Sequence, residues 1–163
     1  MNMHSHRQAP WFALACAVLI ADQSVKSYID ATTPLGWSSA LTPFFNLVHV
    51  LNPGAAFSFL AGAGGWQRWF FLAIAVAASG WLIWMLRHPR PRLESLAFSL
   101  ILGGALGNAF DRAVRGQVID YLDFHLRGWH WPAFNLADIA ITLGAVCMVL
   151  TAVGGSREPQ EQE

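Results

Sequence analysis

Residues 103–138 read GGALGNAFDRAVRGQVIDYLDFHLRGWHWPAFNLAD, and the rest of the chain is best understood outward from them. The stretch begins as an apolar helix with Gly103 and Gly107 four apart, a small-residue face that lets another helix approach closely. It then turns polar, and it closes just inside the next apolar run. Four of the ten acidic residues fall within it: Asp111, Asp120, Asp123 and Asp138. A polar join between two membrane-length apolar segments predicts a helical membrane protein whose chemistry lies at one interface.

Composition agrees. Of 163 residues, 55% are hydrophobic and only 12% charged, about half the charge of an ordinary soluble domain. Eight Trp and eleven Phe suit interfacial aromatic belts. Ten basic and ten acidic residues cancel, so no basic footprint for nucleic acid is present. Cys16 and Cys147 each lie inside an apolar run, which argues against a disulfide or a thiolate metal site. The histidines are scattered: His4 and His6 are terminal, and His125 and His130 lie five apart in a loop. No metal is expected. Phosphate-binding loops and serine nucleophile elbows are missing as well.

Four membrane spans are expected, at about 11–29, 66–86, 93–113 and 134–153, forming one integral membrane unit over 1–163. The first is free of charge only to residue 21, and alone it reads as a signal peptide. Asp22 and Lys26, four apart on one helical face, let it continue to spanning length. Residues 31–65 contain no Lys or Arg. Within them, FFNLVHVL (44–51) has the branched and aromatic content of a strand, Asn52-Pro53-Gly54 reads as a turn, and AAFSFL (55–60) as a short surface-lying piece. The second span stops at RHPRPR (87–92), where proline forbids further helix and three arginines favour the cytoplasmic side. Both termini are then cytoplasmic, and loops 31–65 and 114–133 face outward. Arg112, Arg115 and Arg127 run against that orientation, although Asp111, Asp120 and Asp123 beside them give a local reason for their presence. The tail from residue 154 is polar.

The polar residues of the central stretch admit two readings. Asp111 with Arg115 makes an ordinary interfacial ion pair, whereas Asn108 sits deeper, on the glycine side. Asp138 suits the first turn of the fourth helix with Asn135 as its N-cap, and Asp120 alone is a loop aspartate. As a pair they suggest more, because both belong at the outer interface in adjacent segments. Two carboxylates brought close share a proton, so one can activate water while the other polarises a carbonyl.

At these residues the chain resembles the lipoprotein signal peptidases (signal peptidase II), membrane aspartic peptidases. The blocks DQSVK (22–26), NPGAAFS (52–58), GNAFDRAVRGQVIDYLDF (107–124) and FNLADIAI (134–141) carry the resemblance in the family's order and approximate spacing. It implies four transmembrane helices, a small extracytoplasmic β-rich cradle and a surface-lying helix. It also implies a monomer in the bacterial cytoplasmic membrane, in contact with membrane lipids and with its active site at the periplasmic face. The implied substrate is a diacylglyceryl-modified prolipoprotein, cut just before the lipidated cysteine, with no cofactor. The family's catalytic aspartates match Asp120 and Asp138. Its supporting positions match Asp22, Lys26, Asn52, Gly54, Asn108, Asp111, Arg112 and Asn135, with Asp123 left as a bystander. Among those, Asp22 and Lys26 are expected to anchor the first helix beneath the cradle. Arg112 is expected to reach loop carbonyls or Asp111. The rival readings are a small proton- or ion-coupled transporter, which calls for carboxylates through the membrane depth or for internal repeats, and a structural tetraspan. Neither signature is visible here.

Overall fold

The computed structural model describes residues 3–54, 62 and 64–155. The expected surface-lying piece at 55–60 and most of the polar tail lie outside these residues. The elements are α1 (Met3–Thr32), β1 (Ser38–Thr42), β2 (Phe45–Asn52), α2 (Gln67–Leu86), α3 (Arg92–Val114), β3 (Val118–Leu126), β4 (Trp129–His130) and α4 (Leu136–Gly155). All four helices are long and apolar enough to cross a membrane. The strands form one antiparallel sheet in the order β1-β2-β3-β4. The expected mainly helical membrane architecture with a small β-rich unit is therefore present.

α3 is the axis of the bundle, because its glycines remove the side chains that would hold neighbours off. A Cβ at Gly103 would lie 2.6 Å from the Ala15 carbonyl oxygen and 2.7 Å from Val18 Cβ, and one at Gly107 would lie 2.5 Å from the Asp22 carboxylate. α1 thus lies directly on the face that the glycine spacing predicts. On another side, a Cβ at Gly104 would meet Ile141 at 2.8 Å, and one at Gly144 of α4 would meet the Ala97 carbonyl oxygen at 2.7 Å. Away from the sheet, Ala15, Leu82, Leu86, Phe98 and Leu102 close a core between α1, α2 and α3. The outward faces of α2 and α4 keep Ile74, Val76, Leu143, Val146 and Val149 exposed, a surface suited to lipid rather than water.

The sheet covers one end of the bundle. Ile29, Ile119 and Tyr121 are buried together with Leu47, Leu51, Leu122 and Leu136 against them, which joins α1, the sheet and the start of α4. The strand expected at 44–51 is β2. Residues 114–133, read as a loop, in fact contain β3 and β4. Inserted aspartates conceal the strand, since VIDYLDFHL is rich in branched and aromatic residues yet carries two acids. Its turns are sharp. Arg127 and Gly128 both take positive φ (52° and 84°) between the paired residues Leu126 and Trp129, as a two-residue hairpin turn of the primed type requires.

Candidate active site

The join between β3 and α4 brings the two sequence-predicted aspartates together. Leu122 and Phe134 exchange backbone hydrogen bonds in an isolated antiparallel bridge. Beside it the Leu136 N–H donates to the Tyr121 hydroxyl at 3.0 Å. Burial pushes that phenol up to about 12, so it stays neutral as an acceptor. The strand carrying Asp120 is thereby fastened to the helix end carrying Asp138. Both carboxylates line one cavity of about 670 Å³, together with Asn52, Asn108 and Arg112, walled by apolar residues of α2, α3 and α4. A second hollow, lined by Phe44, Phe124, Trp129 and other aromatics, meets it at Trp131 and Phe134 but carries no carboxylate.

Asp120 is buried on a strand and is not a loop residue. Asn135 Nδ2 donates to its Oδ1 at 2.7 Å, and Asn52 Nδ2 donates to its Oδ2 at 3.1 Å. Burial first, and then the negative charge of Asp138, push its pKa up to about 7, so it keeps its proton far more readily than an ordinary carboxyl. Asn52 is itself fixed by a turn in which the Gly54 N–H donates to its Oδ1 at 2.9 Å.

Asp138 stands in the first turn of α4, as its capping reading expects, and also lines the cavity. Its backbone N–H donates to Asn135 Oδ1 at 3.0 Å, and the Asn135 N–H donates to its Oδ2 at 3.2 Å. This is a reciprocal cap of the α4 N-terminus. The cap locks the Asp138 rotamer and leaves Oδ1 to accept Asn108 Nδ2 at 2.8 Å. Capping and site membership are therefore one geometry.

Beneath the pair lies a charged network in which Asp22, Lys26 and Asp111 are wholly buried. Lys26 is wholly buried and contacts Asp22 at 2.9 Å, Asp111 at 2.8 Å and Asn108 Oδ1 at 2.9 Å. It joins α1 to α3 beside the aspartates. Asp22 accepts the Ala137 N–H at 3.0 Å, so α1 also holds the start of α4. Asp111 pairs with Arg115 as well, and accepts the Ile119 N–H at 3.3 Å. Arg112 Nη2 donates to the Gly54 carbonyl at 2.7 Å and Nη1 to the Asn108 carbonyl at 3.2 Å, with the guanidinium over the Phe71 ring. It thus takes the loop carbonyl in preference to Asp111.

Two contributors, Gln23 and Tyr121, escape sequence reading, and Arg115 has partners beyond the expected Asp111. Gln23 donates to Asp22, Asp111 and the Gly107 carbonyl. Arg115 binds Gln23 and Ser27, and Tyr121 receives Leu136. A Gln placed next to Asp22 in an apolar helix was the available signal for the first. Asp123, expected to be a bystander, accepts from Asn46 at 2.8 Å and contacts His130 at 2.9 Å, so it braces the sheet. Among the described residues, no three His, Cys, Asp or Glu gather as a metal site.

The family described as Signal peptidase (SPase) II matches residues 14–154. The chain is similar to a lipoprotein signal peptidase of Ralstonia nicotianae, with 53% identity over 146 residues, 89% of this chain and 84% of that one. It is likewise 53% identical over 153 residues to one of Burkholderia mallei, covering 91% of this chain and 92% of the relative. In three dimensions it is similar to a bacterial membrane enzyme solved by the in meso method at 2.3 Å resolution. That likeness has a TM-score of 0.84 and 30% identity, and covers 95% of this chain and 94% of the other. With nearly the whole length matched, the chain belongs to the signal peptidase II family.

Proposed function

We propose that this signal peptidase cuts diacylglyceryl-modified prolipoproteins immediately before the lipidated cysteine, using Asp120 and Asp138 as a water-activating dyad. The observation that carries the reading is the pair of carboxylates, Asp120 buried and Asp138 half-buried, lining one cavity between apolar helices. Asp138 takes a proton from a bound water, whose oxygen adds to the scissile carbonyl carbon. Asp120 passes its proton to the carbonyl oxygen. The tetrahedral species collapses by breaking the C–N bond: the proton held on Asp138 leaves with the cysteine nitrogen, and one hydroxyl proton returns to Asp120 as the carbonyl re-forms. Asn52 and Asn135 orient Asp120 as neutral amides, adding no charge that would disturb the shared proton. Arg112, through Gly54, holds the Asn52 turn over the cavity.

The apolar faces of α2 and α4 suit the acyl chains, so the substrate's lipid stays in lipid while its peptide enters the cavity. In this reading the enzyme is a monomer, the site opens at the periplasmic face, and both termini are cytoplasmic. Membership in a peptidase family leaves the transporter alternative without support. The test is cleavage of a diacylglyceryl-modified precursor by purified protein in detergent. Asp120→Asn and Asp138→Asn should each lose nearly all activity while keeping wild-type helicity. Substantial cleavage by either folded variant would remove the dyad.

A further inference from the structure

Lys26 is the chain's one lysine, against nine arginines, and no part of it reaches solvent. Its ammonium meets three oxygens: Asp22 Oδ2, Asp111 Oδ2 and Asn108 Oδ1. An ammonium has three donors and no acceptor, so its capacity is filled by a tripod that a planar guanidinium does not match. Two of the bonds are charge pairing. The third has a different consequence, because a primary amide has two unlike ends.

Since Lys26 only donates, the end of Asn108 facing it is the oxygen. Asn135 Nδ2, 3.3 Å from the same oxygen, imposes the same sense. The amide nitrogen is thereby turned toward Asp138 Oδ1 at 2.8 Å. With the Asn135 N–H on Oδ2, both Asp138 oxygens face donors, an arrangement that favours the carboxylate form. A flipped Asn108 would direct a lone pair at Asp138 and accommodate only its acid form.

We propose that Lys26 is a positioning residue for the reaction, locking the Asn108 amide so that Asp138 is held as the ionised, water-activating member and the proton rests on Asp120. This deepens the dyad reading and rests on it. The other charged groups nearby are engaged elsewhere. Asp22 and Asp111 bond Lys26, Gln23, Ala137, Ile119 and Arg115. Arg112 bonds two backbone carbonyls. Asp120 also accepts two amide donors, but it is the more deeply buried of the two, which favours its protonated form.

The test measures kcat, KM and the pH profile of kcat/KM on a diacylglyceryl-modified precursor, for Lys26→Met, Asn108→Ala and the double variant. Losing a hydrogen bond to the ionised base should lower kcat about tenfold or more and move the acid limb up by about one pH unit, a tenfold change in proton affinity. KM should stay within about twofold, since neither side chain is assigned to substrate binding in this role. The double variant should be no worse than the worse single one. If Lys26→Met does not fold, Lys26→Met/Asp111→Asn removes one buried charge of each sign and takes its place in the same measurements. An acid limb that stays at its wild-type position, or losses that multiply in the double variant, overturns the proposal. Activity in Asp138→Asn would instead refute the dyad itself, so the two failures are distinguishable.

Discussion

Asn135 and Asp120, fifteen positions apart in the chain, meet in a buried 2.7 Å contact in which the amide Nδ2 donates to Oδ1. The same asparagine caps α4 through its Oδ1 and exchanges bonds with Asp138. One residue therefore sets the pose of Asp120 through its side chain and the rotamer of Asp138 through its backbone N–H.

Its two functions separate by substitution. Asn135→Ala removes the cap and the donor, and should cost about 1 kcal/mol of stability, as lost N-caps do. It should also cost roughly a hundredfold in kcat, the scale seen when one oriented donor is lost from an active site. Asn135→Ser keeps a capping oxygen but carries no amide to donate to Asp120, so stability should hold near wild type while kcat still falls. Thermal unfolding in detergent, set beside cleavage kinetics, distinguishes them. Equal activity losses without the stability difference would contradict the double assignment.

Asp120 also predicts a pH dependence of stability. Burial in the folded protein pushes its pKa up to about 7, against an ordinary 3.8. Between those values the native state binds more protons than the unfolded one, so this residue makes stability fall as pH rises through that window. Asp120→Asn cannot ionise. The variant should be more stable than wild type above pH 7, with the advantage shrinking on acidification and gone below about pH 4. Melting temperatures of both proteins across pH 4–8 give the comparison, and a constant offset would show that Asp120 is not the source.

Gly107 tests the packing beneath the site. A Cβ there would lie 2.5 Å from the Asp22 carboxylate, which is held by Lys26 and Ala137 and has little room to yield. Gly107→Ala should therefore destabilise by about 1–3 kcal/mol, the usual range for overpacking, although alanine is the better helix former. Gly80, with nothing near its Cβ position, is the control, and Gly80→Ala should be neutral or stabilising. Parallel melts of the two variants decide the matter.

The helices were legible because spanning a membrane needs a long apolar run, and such runs are read directly from composition. The glycine face of α3 was legible for a related reason, since spacing of four alone puts Gly103 and Gly107 on one side of a helix. Asn135 as a cap was a local three-residue relation, and it holds. β3 was not legible as a strand, because a strand that carries buried acids departs from apolar alternation. Its identity depends on β2, some seventy residues earlier, pairing Val50 with Asp120.

The sequence by itself determined a four-helix membrane protein with a polar, acid-bearing join, since those features follow from local hydrophobicity and spacing. Tertiary structure alone decided which polar groups share that join. Lys26 reaches Asn108 across 82 positions, and Asn52 reaches Asp120 across 68. A buried donor must find an acceptor wherever the fold brings one, and no local pattern in the chain records where that will be.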